Sequence, residues 1–129
     1  MIFNEHCQFF TATILDWKPI LYRDDFKDII IDALRFRVLK EEVLIYGFVI
    51  MPNHIHVIWH ITDKVIKADF QRDFLNFISK QFILKWKEEG NEIIEEFVVN
   101  KIDRTIQIWK RDSLSMDLYS MLSESRFQI

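Results

Sequence analysis

The chain has 129 residues, half of them hydrophobic and 15% aromatic, and carries 17 Lys+Arg against 20 Asp+Glu for a net charge of −3. That size and apolar content suit one folded domain over 1–129, and with only two Gly and two Pro they argue against disorder. The acidic balance argues against indiscriminate nucleic-acid affinity, the apolar runs are too short to cross a bilayer, and the lone Cys7 excludes an internal disulfide.

The first residues, Met1-Ile2-Phe3-Asn4-Glu5-His6, have neither the basic start nor the long apolar stretch of a secretory leader. The expectation is a cytoplasmic protein with no membrane segment. Cys7 reads as a small apolar filler. Phe9 to Trp17 reads as a strand rich in aromatic and β-branched residues, ended by Lys18-Pro19. Asp24 and Asp25 supply an N-cap and an acidic first turn. The stripe Phe26, Ile29, Ile30, Ala33 and Leu34 has helical spacing and runs to about Leu39. Val43 to Ile50 is an almost unbroken apolar run, which reads as a central strand buried on both faces. Met51-Pro52-Asn53 is a turn, because Pro52 cannot donate to a ladder and Asn tolerates left-handed backbone.

His54 to Ile61 is the next strand, and it alternates. Ile55, Val57, Trp59 and Ile61 fall on one wholly apolar face; His54, His56, Ile58 and His60 fall on the other. The first face predicts packing on helices, the second a surface partly open to solvent. A second helix is expected from about Lys67 to Glu88, with Phe70, Phe74, Phe77, Ile78, Phe82 and Trp86 as its core stripe and Gly90 as its stop. Glu92 to Phe97 reads as a short helix and Thr105 to Lys110 as a short strand. Ser113 or Ser115 would cap a last helix carrying Leu114, Leu118, Met121 and Leu122. The order β-α-β-β-α-(α)-β-α predicts an α+β, ferredoxin-like split βαβ fold, an antiparallel sheet with helices on one face only.

On such a sheet His54 and His56 project side by side from the helix-free face, at the start of a strand beside a turn. Two neutral imidazoles so placed suit a divalent metal, and a metal next to a phosphodiester is a Lewis acid. His60 shares the face but lies roughly 13 Å along the strand from His56, too far for the same ion. It reads as an edge residue that could contact phosphate. Lys101, Arg104, Lys110 and Arg111 face only Asp103 in their stretch while the acids gather at Glu88-Glu89 and Glu92 to Glu96. A local basic patch and a solvated loop are about equally good readings. A catalytic zinc wants three protein ligands, and no third His or Cys stands at suitable spacing.

The string Met51-Pro52-Asn53-His54-Ile55-His56 resembles the His-hydrophobic-His signature of the single-tyrosine HUH transposases, most closely the REP-associated tyrosine transposase branch. Phe9-Phe10-Thr11-Ala12-Thr13 is similar to that family's first strand, Phe74-Leu75-Asn76-Phe77 to its second long helix, and Ile108-Trp109-Lys110-Arg111 to its aromatic-Trp-X-Arg strand. The resemblance covers roughly residues 5 to 120. It implies a divalent cofactor (Mg²⁺ or Mn²⁺) on His54, His56 and a third polar ligand, of which Gln128 is a remote candidate. It also implies a single-stranded or hairpin DNA partner, a homodimer, and a tyrosine that attacks phosphorus to leave a 5′-phosphotyrosyl enzyme and a free 3′-OH. Arg104, Lys110, Arg111 and His60 are the candidate DNA contacts.

The chain departs from that pattern at its C-terminal end. The family carries its nucleophile in a Tyr-Ile-His-Asn-Asn-Pro-like string, and no such string occurs here. Of the three tyrosines, Tyr46 reads as core, Tyr22 as a surface anchor, and Tyr119 as the candidate nucleophile, although it precedes the family's position. A truncated or frame-shifted copy that retains the metal half of the site is the simplest expectation. Two other readings stay open: a non-catalytic single-strand DNA-binding or regulatory module, and an unrelated ferredoxin-like domain binding a metal, a small ligand or a partner protein.

Overall fold

The structure, a computed structural model, describes residues 7–117. Strands β1 (Gln8–Thr13), β2 (Val43–Met51), β3 (His54–Ile61) and β6 (Leu114–Asp117) form one antiparallel sheet in the order β2-β3-β1-β6. Helices α1 (Asp24–Leu39) and α2 (Lys67–Glu89) connect β1 to β2 and follow β3. This is the ferredoxin-like split arrangement: each helix is a crossover that must return over the same sheet face, so among the described residues no helix covers the opposite face. A second, two-stranded piece pairs β4 (Val98–Asn100) with β5 (Thr105–Ile106).

The core lies between the sheet and the two helices. Ile55, Val57 and Trp59 of β3 are fully buried there with Phe10 and Ala12 of β1, while His54, His56, Ile58 and His60 are half-buried on the other side. Trp59 stacks on Phe10 at 4.8 Å and takes Phe70 and Phe74 edge-on at 5.2 and 5.5 Å. Phe26 stacks on Phe82 at 4.4 Å, joining α1 to α2. Arg23 strengthens that junction: it is bidentate to Asp25 and to Glu89 and lies 4.4 Å over the Phe26 ring. Asp25 and Glu89 are held below the usual carboxylate range by the Arg23 guanidinium. Gly90 ends α2 with φ 62°, a left-handed cap that glycine adopts without steric cost.

Several expectations are corrected. The first strand stops at Thr13 rather than Trp17, because Leu15–Trp17 forms a 3₁₀ turn with Asp16 and Trp17 at positive φ. Arg23, not Asp24, occupies the N-cap of α1, and the two aspartates lie in its first turn. The apolar run at 43–50 is an edge strand, not a central one: Leu44, Phe48 and Val49 are about half exposed. An apolar run does not distinguish two covered faces from one covered face and an apolar edge. Tyr46 accordingly is half-buried, at a register shift between Ile45 and Gly47.

The expected last helix is a strand over its first four residues. Ser115 faces the helices, bonded to Gln71 at 3.0 Å, whereas Leu114 pairs with Thr11 and Met116 with Phe9. Four residues of alternating pattern fit either period, and the unpaired ladder of β1 favours the strand. The 92–97 segment is a 3₁₀ helix capped by the Asn91 side chain, which accepts from Ile93 N–H at 3.0 Å. Of the strand expected at 105–110, only Thr105–Ile106 pairs with β4; Trp109 bridges instead to Ile14. No helix among the described residues is long and apolar enough to cross a membrane.

Candidate metal and nucleic-acid site

The uncovered face is a lattice of cross-strand rows. At the turn end Met51, His54 and Thr13 are paired in register; next come Val49, His56, Thr11 and Leu114; then Gly47, Ile58, Phe9 and Met116. The two-residue Pro52-Asn53 turn that starts β3 is pinned from below. Ile14 N–H donates to the Asn53 carbonyl and Leu21 N–H to the Pro52 carbonyl, each at 2.9 Å. Asn53 keeps negative φ, so its usefulness is not the left-handed backbone expected of it.

Its side chain has another use. The His54 Nδ1 lies 2.6 Å from Asn53 Oδ1, and the His56 Nδ1 lies 2.8 Å from Thr11 Oγ1. An amide oxygen only accepts, so His54 must carry its proton on Nδ1 and present a lone pair on Nε2. The Thr11 hydroxyl serves either tautomer of His56; a cation at Nε2 selects the one in which Nδ1–H donates. This is the outer shell that fixes ring orientation in metal-binding histidines. The ring centroids are 4.7 Å apart at 75°, so the two imidazoles are immediate neighbours on this face. Neighbouring imidazoles with bonded Nδ1 atoms have the donor chemistry that two ligands of a cation would need. Among the described residues no group of three or more His, Cys, Asp or Glu completes a full protein set.

Burial, and secondarily the neighbouring His54, push the His56 imidazole below its ordinary value of 6.5. Since the folded value is the lower one, stability associated with this ring is complete above pH 6.5 and declines as pH falls through 6.5 toward the folded value. Neutral imidazole is the metal-binding form, so protons do not compete at His56 near pH 7. In an NMR titration the His56 Cε1–H shift should have its midpoint below about 6.5, and His54→Ala should move it upward. A midpoint at or above that value would contradict the geometry.

Cations border this face on one side. Lys110 N–H donates to the Thr13 carbonyl at 2.8 Å, and Leu15 N–H to the Ile108 carbonyl at 2.8 Å, which clamps the 108–111 segment to the end of β1. Lys110 and Arg111 line a small cleft with Thr11, Thr13, Asp112, Ser113 and Leu114. The Lys110 ammonium also lies 4.6 Å from the ring centroid of the exposed Trp17. Thr11 and Thr13, which the histidine motif does not single out, are what connect the basic segment to the imidazoles. Their period-2 spacing on β1 was the available signal, but it acquires meaning only once β1 is registered against β3.

The other candidates are placed elsewhere. Arg104 is bonded to Glu95 at 2.7 Å on the β4–β5 side and lines a groove with Lys87, Asn91 and Glu92; the acidic cluster is thus its neighbour rather than remote from it. His60 pairs across with Leu44 at the far end of β3. Tyr22 is exposed. Tyr119, Gln128 and His6 lie outside the described residues.

Known structures share the fold. A crystal structure of a proposed transposase from Deinococcus radiodurans R1 aligns with a TM-score of 0.60 at 10% identity, covering 89% of this chain and 80% of that one. A structure of the REP-associated tyrosine transposase bound to a REP hairpin aligns with a TM-score of 0.49 at 19% identity, covering 90% of this chain and 58% of that one. At these identities the first likeness establishes the fold alone. No protein-family model and no curated protein matches the chain.

Proposed function

We propose that this chain is a transposase-like protein that lays single-stranded or hairpin-bearing DNA across the helix-free face of its sheet and engages one phosphodiester at His54 and His56. The observation that carries this reading is the hydrogen bonding of both Nδ1 atoms, to Asn53 and Thr11, which leaves both Nε2 atoms available as donors on neighbouring rings. The transposase fold likeness supports it at the level of architecture. A divalent cation, Mg²⁺ or Mn²⁺, would supply Lewis acidity to the phosphate oxygens when bound there. His54 and His56 would hold it, with Asn53 and Thr11 orienting their rings through Nδ1. Lys110 and Arg111 offset phosphate charge along the strand. Tyr119 is assigned the nucleophilic hydroxyl: its oxygen bonds to phosphorus, the P–O3′ bond breaks, and the proton passes to the departing 3′ oxygen.

Incubation with Mn²⁺ and a hairpin-flanked single strand should yield a covalent adduct on a denaturing gel that Tyr119→Phe abolishes. Affinity for the same strand should fall steeply with salt, and Lys110→Ala with Arg111→Ala should reduce the log–log slope by about one per residue. Salt-insensitive or absent binding would overturn the reading. A non-catalytic single-strand-binding module is the second reading, favoured by the cleft that Lys110 and Arg111 line with Thr11 and Thr13, which can hold a phosphate without a metal; it predicts the salt dependence without the adduct.

A further inference from the structure

Beside the histidine pair the uncovered face holds an open apolar recess of about 380 Å³, lined by Phe9, Gly47, Phe48, Val49, His56 and Ile58. No lining residue other than His56 is ionisable. The Gly47-Ile58-Phe9 row lies one side-chain repeat, roughly 7 Å, from the row that holds His56. The Phe9 ring is tilted 30° from His56 with centroids 5.2 Å apart, so the two rings form a shallow continuous wall.

Gly47 is the unexpected member. Glycine weakens a strand, and within one it often marks close approach by a ligand. Neither backbone nor packing demands it here. Gly90 alone among the glycines has positive φ, and a Cβ at Gly47 would meet no atom within 4 Å. The missing side chain leaves the recess open and exposes bare backbone as part of its lining. The flanking chemistry is graded: apolar in the recess, imidazole next to it, and Lys110 with Arg111 bordering the cleft beyond Thr11 and Thr13. That gradient matches a nucleotide, whose base is a flat apolar body and whose phosphate is an anion.

We propose that the recess receives a base of single-stranded DNA adjacent to the phosphodiester at His54 and His56, stacked against Phe9 over Gly47. This rests on the DNA-binding reading above and adds a base-dependent contribution to it.

The test compares fluorescein-labelled oligothymidylate of about fifteen nucleotides with a wholly abasic strand of equal length, by anisotropy over a range of salt. Wild type should bind oligothymidylate about tenfold more tightly than the abasic strand, in line with the stacking of one base. Gly47→Leu, whose Cβ meets no atom within 4 Å, places an aliphatic side chain at the recess and should remove that preference while leaving the salt slope and the affinity for the abasic strand unchanged. Equal affinity of wild type for both strands, or an unaltered preference in Gly47→Leu, overturns the recess while a steep salt slope leaves the DNA-binding reading standing. Binding of neither strand overturns both. If sedimentation shows a self-association that Gly47→Leu abolishes without altering strand preference, the recess belongs to a second copy of the chain and the base proposal fails.

Discussion

His54→Ala and His56→Ala should each weaken Mn²⁺ binding by at least about 100-fold, measured calorimetrically on the folded protein. The size follows from the proposed ligand set. Loss of an outer-shell partner alone costs metal sites about 10–100-fold, and each of these substitutions removes one of the two donors proposed among the described residues. Thr11→Val tests the outer shell separately: it keeps the shape of the side chain, deletes the 2.8 Å partner of His56 Nδ1, and should cost about 10–100-fold. His60→Ala is the internal control. Its ring shares the face but is four residues further along β3, so Mn²⁺ affinity should not change. Equal binding by wild type and His54→Ala would remove the cation from this site, and with it the chemical half of the proposed function. The histidines are half-buried and lie outside the core, so the thermal midpoints of both variants should stay near that of wild type.

Trp59→Ala should be the most damaging single core substitution, costing about 3–5 kcal/mol in urea unfolding. The indole is fully buried on the helix side of the same strand that carries the histidines. It touches Phe10 of β1 and Phe70 and Phe74 of α2, so truncation opens a cavity where sheet and helix meet. A typical domain has only about 5–15 kcal/mol in total, so the variant should be partly unfolded at ambient temperature or close to it. Trp59→Phe retains most of the packing and should cost clearly less. A loss below about 1 kcal/mol for Trp59→Ala would mean that the core repacks around the gap, contrary to the close-packed arrangement of rings.

These two experiments probe opposite faces of one strand, and that division was readable from residues 54–61 alone. Strict alternation over eight residues assigns each side chain to a face whatever its neighbours are, because successive Cβ atoms point in opposite directions. The same holds for α2, whose aromatic stripe needs no partner to be recognised and whose glycine stop is encoded locally. The order of elements then left few ways to arrange the sheet.

Position within the sheet was not encoded in the same way. Val43 to Met51 presents an apolar run that is equally at home in the middle or at the rim, and only the pairing order made it an edge. Leu114–Asp117 is too short to declare a period, so its conformation was chosen by the open ladder of β1. Local charge groups Arg104 with Lys110 and Arg111, yet the fold pairs it with Glu95, nine residues earlier. Thr11 shows the difference most clearly. The imidazoles were visible as a motif because their spacing is local, two residues on one strand. Of the groups that bond them, Asn53 is the next residue in the chain, whereas Thr11, on a strand 45 residues away, could be identified only once that strand had been paired with β3. Local chain geometry sets which way a side chain points, whereas its partner is set by long-range pairing.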